Sequence, residues 1–137
     1  MFMVGAGALG CEFVKAYALM GIGCGQNGLI TCTDNDNIEV SNLNRQFLFR
    51  AKNVTFPKSK TALEIGQEMN KDLKVKGLQL YVSPATENIF NDAFWNSQSF
   101  VVNAVDNIKA REYVDQKCVW YKKVLHESGT LGTKANS

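Results

Sequence analysis

A chain of 137 residues has room for one domain with a real core and not for two. A net charge of +2, with no stripe of Lys and Arg and no stacked-aromatic RNA motif, argues against a nucleic-acid partner. No apolar stretch is long enough to cross a bilayer and no signal peptide is visible, so no membrane partner is expected, and Cys11, Cys24, Cys32 and Cys118, which form no C-x-x-C pair, read as free thiols in a reducing compartment rather than zinc ligands.

Met1 to Val4 is a short apolar strand that runs into Gly5-Ala6-Gly7-Ala8-Leu9-Gly10, a G-x-G-x-x-G pattern. Phe13, Val14, Tyr17, Ala18 and Gly21 follow at helical spacing. Strand, glycine turn and helix is the context in which this motif binds a nucleotide phosphate. Gly5 permits the tight turn, Gly7 lets the backbone approach a phosphate, and Gly10 lets helix and strand pack closely. The helix start offers unpaired N–H groups to an anion. The alternative is a glycine turn that only packs.

Gly21 to Gly25 stops this helix, and Gln26-Asn27-Gly28 turns the chain into a second buried strand, Leu29 to Thr33. Asp34 at its carboxyl end stands where a Rossmann-type site binds ribose hydroxyls; a solvated turn is the plainer reading. Glu39 to Arg50 reads as a helix capped by Ser41, with Leu43, Phe47 and Leu48 inward and Asn42 and Arg45 on a neighbouring face. Beside a phosphate loop such amides and a guanidinium fit polyphosphate; alone they fit a capped surface helix. Pro57 to Thr61 opens another helix, with Ala62, Ile65, Gly66 and Met69 inward. Lys58 at its start opposes the helix dipole, which fits an anionic partner or a tolerated exposed lysine.

Leu73 to Val82 reads as an edge-type strand, Ser83 to Thr86 as a break, and Glu87 to Trp95 as a short helix with Ile89, Phe90, Phe94 and Trp95 in the core. Ser99 to Val105 is a buried strand ending at Asp106-Asn107, and Ala110, Val114, Cys118 and Tyr121 mark the helix after it. Asp106 therefore shares a sheet edge with the glycine loop and Asp34. It fits either a Mg²⁺ ligand on nucleotide phosphates or a plain helix N-cap. Val124-Leu125 begins a last strand, and His126 to Thr133 reads as a loop lining the same edge, with no catalytic role for His126. Alternation of strands and helices predicts an α/β, Rossmann-like fold, a largely parallel sheet with helices on both faces. The chain starts almost inside its first strand and ends at Lys134 to Ser137 without a closing element, as expected of a piece of a longer protein.

Four segments carry a resemblance that covers essentially all 137 residues: Gly5 to Glu12, Ser41 to Arg50, Asn103 to Asn107, and Glu127 to Thr133. They resemble the ubiquitin-activating enzymes, in their active, ThiF-like adenylation domain. Thr130 to Lys134 looks more like the ubiquitin type than the activators of SUMO or NEDD8. The resemblance implies that residues 1–137 are a partial adenylation domain, truncated at both ends and without the thioester-cysteine domain. It implies ATP- and Mg²⁺-dependent adenylation of the C-terminal glycine carboxylate of ubiquitin, releasing pyrophosphate. Transfer to a cysteine of another domain and then to a ubiquitin-conjugating enzyme follows. By position, the loop around Ala8 would contact nucleotide and Asp34 would hold the ribose. Asn42, Arg45 and Lys58 would surround the phosphates, with Gln46 beside them. Asp106 would bind Mg²⁺, with Asn107 beside the nucleotide. Val82 and Ser83 would flank the adenine, although Ser83 stands where relatives are expected to have glycine. An inactive adenylation half would be a further partner in the whole chain, and a cytoplasmic and nuclear location is expected.

An NAD-dependent oxidoreductase fits Gly5 to Gly10 and Asp34 equally well, but gives Arg45, Lys58 and Asp106 no work. Enzymes that adenylate sulfur-carrier proteins are disfavoured by the Gly129 to Lys134 segment and the absence of zinc cysteines. A non-catalytic half that only binds a ubiquitin-like protein leaves Arg45, Lys58 and Asp106 unexplained.

Overall fold

The computed structural model describes residues 1–131 and 134–137. Strand β1 (Phe2–Val4) is followed by α1 (Ala8–Met20), β2 (Ile30–Thr33), α2 (Lys58–Met69) and β3 (Val75–Leu78). Then come α3 (Asp92–Ser97), β4 (Phe100–Asn103), α4 (Ile108–Trp120) and β5 (Val124–Glu127). A hairpin of β6 (Gly129–Leu131) and β7 (Lys134–Asn136) closes the order. The five strands form one sheet in the order β3-β2-β1-β4-β5 and every pairing is parallel.

The strand order follows from burial. All residues of β1 and β2 are buried, as strands covered on both faces must be. Alternate residues split between two cores. Met3, Cys32 and Val102 face Val14 of α1 and Ala62 and Leu63 of α2. Phe2, Val4 and Val101 face Trp95 of α3 and Val114 and Cys118 of α4. Helices therefore cover both faces. Phe2 meets Phe90, Phe94 and Trp95 with ring centroids 5.3, 4.8 and 5.7 Å away. Burial of each such side chain is worth about 1.5–3 kcal/mol.

Two glycines fix how the chain crosses the sheet edge. Gly5 has φ +99°, and a Cβ there would lie 2.6 Å from the Ala104 carbonyl oxygen. A Cβ on Gly10 would lie 2.5 Å from the Gly5 oxygen, so α1 descends tightly against the loop.

Several expected elements differ. Glu39 to Arg50 is not one helix and Ser41 is not its cap: only a 3-10 turn over Val40–Asn42 forms, with Glu39 at its N-cap, and a second over Ala51–Asn53. The asparagines compete with helix for the backbone. Asn42 Oδ1 accepts from the Glu39 N–H at 2.9 Å, and Asn53 Oδ1 from that of Arg50 at 2.9 Å. Helix α3 begins at Asp92 rather than Glu87, because the Asn91 side chain accepts from the Phe94 N–H. Ile89 is exposed. In α2 the buried face is Ser59, Ala62, Leu63 and Gly66; Met69 is exposed. The expected strand from Leu73 to Val82 is limited to β3, which does form the sheet edge. His126 and Glu127 belong to β5, and the expected loop from His126 to Thr133 instead enters the β6–β7 ribbon; Gly132 and Thr133 lie outside the described residues. Lys134 to Asn136 is that ribbon's second strand.

Candidate nucleotide site

A cavity of about 550 Å³ lies along the carboxyl ends of β2, β1 and β4. This is the crevice where open α/β sheets bind ligands, at the switch between β1 and β4. Gly5, Gly7 and Ala8 form its floor. Gly7 is the N-cap of α1 and no side chain caps this helix, so the first-turn N–H groups are left for an anion. Gly10 does not line the cavity; it serves the close packing just described.

At the β2 end, Asp34 Oδ2 accepts from the Ala6 N–H at 2.7 Å and Oδ1 from the Asp36 N–H at 2.9 Å. Burial pushes its carboxyl above the ordinary carboxylate range, against the lowering effect of those two N–H groups and of Lys58. Its free lone pairs suit a ribose diol. Lys58 is 8% exposed rather than a surface lysine, and its Nζ donates to Asp36 Oδ2 at 2.9 Å. Asp36 is thus part of the site; the Asp34-Asn35-Asp36 run carried that signal in sequence.

Asn42, Arg45 and Gln46 line the wall opposite the glycine loop. The 3-10 turn presents them, not the expected helix. Asn42 Oδ1 is spent on Glu39, while its amide protons find no acceptor among the described residues. Arg45 is exposed and its Nη1 donates only to uncharged oxygens, Ser41 O at 2.9 Å and Asn44 Oδ1 at 3.2 Å. Its charge therefore remains for a ligand. Gln46 is buried, and its Oε1 meets no donor among the described residues.

At the β4 end, Asp106 and Asn107 both line the cavity. Of the two readings of Asp106, the helix cap falls to its neighbour. Asn107 is the N-cap of α4, its side chain accepting from Lys109 N–H at 2.9 Å and Ala110 N–H at 3.4 Å. Asp106 accepts no hydrogen bond among the described residues and is left facing the cavity. No cluster of three metal-ligating side chains occurs among the described residues. One free carboxylate fits Mg²⁺, which keeps waters and takes its other oxygens from substrate phosphates.

Leu80, Tyr81 and Val82 form the apolar end; Val82 is 6% exposed. Ser83 does not line the cavity. Its N–H is turned to Thr86 Oγ1 at 3.1 Å as the 3-10 turn Pro84–Thr86 begins. Gly129, within the segment expected to line this edge, does so at the far rim beyond Asp106; Arg111 beside it was not foreseen, because only α4 and the end of β5 meeting in space bring it there. The cysteines are not nucleophiles of this site. Burial raises Cys11 to about 12 and Cys118 to about 11, and raises Cys32 as well.

Comparisons with known proteins agree with this geometry. The chain is 58% identical over all 137 residues to Ubiquitin-activating enzyme E1 1 of Triticum aestivum. It is 53% identical over 135 residues to Ubiquitin-like modifier-activating enzyme 1 of Homo sapiens. It spans only 13% of the length of either relative. Among solved structures it resembles the E. coli tRNA N6-threonylcarbamoyladenosine dehydratase in complex with AMP, at 26% identity and a TM-score of 0.83. That match covers 98% of this chain and 52% of the other, and the same enzyme in complex with ATP matches with a TM-score of 0.82. The ThiF family itself matches over residues 1–137, and the chain belongs to that family.

Proposed function

We propose that this chain is the nucleotide-binding part of an enzyme that uses ATP to adenylate the C-terminal glycine carboxylate of ubiquitin. The observation that carries the reading is Asp106, a carboxylate spared from capping and aimed at the same cavity as a bare helix N-terminus, Lys58 and Arg45. Hydride transfer has no use for that set. The extent of identity to ubiquitin-activating relatives supports ubiquitin as the acyl substrate.

The chemistry follows from charge. A carboxylate oxygen of the glycine attacks the α-phosphorus of ATP. The bond from that phosphorus to the bridging oxygen breaks, and its electron pair leaves with pyrophosphate. The attacking group is already ionised at neutral pH, so no base is required. The obstacle is repulsion between two anions. Lys58, Arg45 and the α1 N-terminus offset charge on the phosphates and the leaving group, and Asn42 donates to a phosphate oxygen. Asp34 fixes the ribose, Val82 flanks the base, and Gly5, Gly7 and Ala8 hold the backbone close, so positioning supplies much of the rest. Mg²⁺ held by Asp106 would neutralise further phosphate charge when bound.

The reading carries further parts with it: an inactive adenylation half, a thioester-cysteine domain and ubiquitin-conjugating enzymes as partners in the full-length protein, and a cytoplasmic and nuclear location. The test is exchange of labelled pyrophosphate into ATP by the full-length protein, with and without ubiquitin. Exchange that requires ubiquitin and Mg²⁺ supports the reading. Exchange indifferent to ubiquitin, or tight binding of NAD in its place, sinks it.

A further inference from the structure

Glu127, the last residue of β5, holds two neighbours at once. Its Oε1 accepts from Arg111 Nε at 2.8 Å and also from Nη2, and its Oε2 accepts from Asn103 Nδ2 at 2.8 Å. Asn103 ends β4, is fully buried, and has an Oδ1 with no donor among the described residues. Arg111 lies one turn into α4, the helix that Asp106 and Asn107 precede. A Cβ on Gly129 would overlap the Arg111 guanidinium, so the backbone entering β6 rests directly on that side chain. Bonds thus join β4, α4 and β5, and the start of β6 packs against them.

Arg111 and Gly129 line the cavity at the end farthest in strand order from β3 and from Asp34. The Arg111 charge is already matched by Glu127, so it is not a free cation for phosphate. Its planar fork supplies two fixed donors, which an ammonium does not. Its work is geometric.

We propose that Arg111 is a positioning residue for the incoming acyl carboxylate: clasped by Glu127, it fixes the bare Gly129 backbone against the turn that carries Asp106. This rests on the adenylation reading. With ribose and base at the β2 and β3 side and phosphates over the glycine loop, the β5 side is left for the attacking group. A small shift of either wall moves the carboxylate out of line with the α-phosphorus, and misplacement of that order costs up to about a hundredfold in rate.

The test is made in the full-length protein, measuring ubiquitin-dependent pyrophosphate exchange, the KM for ubiquitin and the Kd for ATP, with thermal unfolding as the fold control. Arg111→Ala is expected to lower kcat/KM for ubiquitin by about tenfold to a hundredfold, with ATP affinity within about twofold of the parent. Arg111→Lys, which keeps charge and loses the fork, is expected to fall equally and carries the test if the alanine variant does not fold. Full activity in Arg111→Lys, equal losses toward ATP and ubiquitin, or lower thermal stability alone would overturn the proposal. A parent protein without ubiquitin-dependent exchange removes the adenylation reading and this proposal with it; a ubiquitin-dependent parent with an unaltered Arg111→Ala removes this proposal alone.

Discussion

At the β2 end of the cavity the polar groups already hold one another, whereas at the β4 end Asp106 stands without a donor. Asp34 is held by two backbone N–H groups and Lys58 by Asp36. Across the cavity Arg45 is fixed by neutral oxygens and Asp106 by nothing among the described residues. One side is arranged before any ligand arrives; the other holds two exposed charges that stay with water until a ligand meets them. On the proposed function, recognition of the nucleoside at Asp34 and handling of the phosphates at Asp106 are then separable, and each can be broken alone.

The largest effect is expected from Asp106→Ala. It should lower ubiquitin-dependent exchange by roughly a hundredfold to a thousandfold and abolish the Mg²⁺ dependence of ATP binding, leaving adenosine binding intact. Equal loss of adenosine binding would erase the distinction between the ends. Next comes Gly5→Ala, which forces a side chain into φ +99° and against the Ala104 oxygen. Denaturant unfolding should show about 2–3 kcal/mol of destabilisation, damaging both ends together.

Asp36→Ala is smaller and points the other way. Asp36 is half exposed, so its ion pair with Lys58 is partly screened. Removing it leaves Lys58 nearly buried and unpaired until phosphate arrives, so ATP should bind about threefold to tenfold more tightly by calorimetry, with the gain shrinking in high salt. Weaker binding would mean that Asp36 aims Lys58 rather than competing for it. Asp34 sharpens the contrast through pH. Its folded-state carboxyl binds protons more tightly than the unfolded one. Its contribution therefore favours the fold below the unfolded value near 4 and is lost as pH rises through the folded value. Carboxyl NMR should show Asp34 titrating above the ordinary aspartate range. The smallest effect belongs to Cys24→Ser, which should leave exchange unchanged, since this half-buried thiol lies away from the cavity.

Reading the sequence located what depends on local chemistry. Gly5 to Gly10, Asp34 and Asp106 were legible because each sits at a strand end, and strand ends are set by runs of apolar residues. The helix expected from Glu39 to Arg50 failed because Asn42 and Asn53 bond to backbone N–H groups three residues back, and apolar spacing does not register that competition. Ser83 failed for a similar reason, since Thr86 reverses the chain there. Lys58 was found, but its burial and its partner were not, because Asp36 is 22 residues away. Arg111 and Glu127 had no local signal at all; only the pairing of β4 with β5 brings them together.

The position of β1 in the middle of the sheet also sets an order of assembly. Its partner on one side, β2, lies about 30 residues along the chain, and its partner on the other, β4, about 100. Closing the longer loop is entropically dearer and slower. The β3-β2-β1 half, with α1 and α2 packed on one face, can form while Phe2 still shows its ring to water on the other. That ring is covered only when Phe90, Phe94 and Trp95 arrive. Trp95 fluorescence is therefore expected to report the last phase of refolding, after far-ultraviolet circular dichroism has recovered its first half. Until that phase ends, the glycine loop has no Ala104 beside it and the cavity lacks its β4 end.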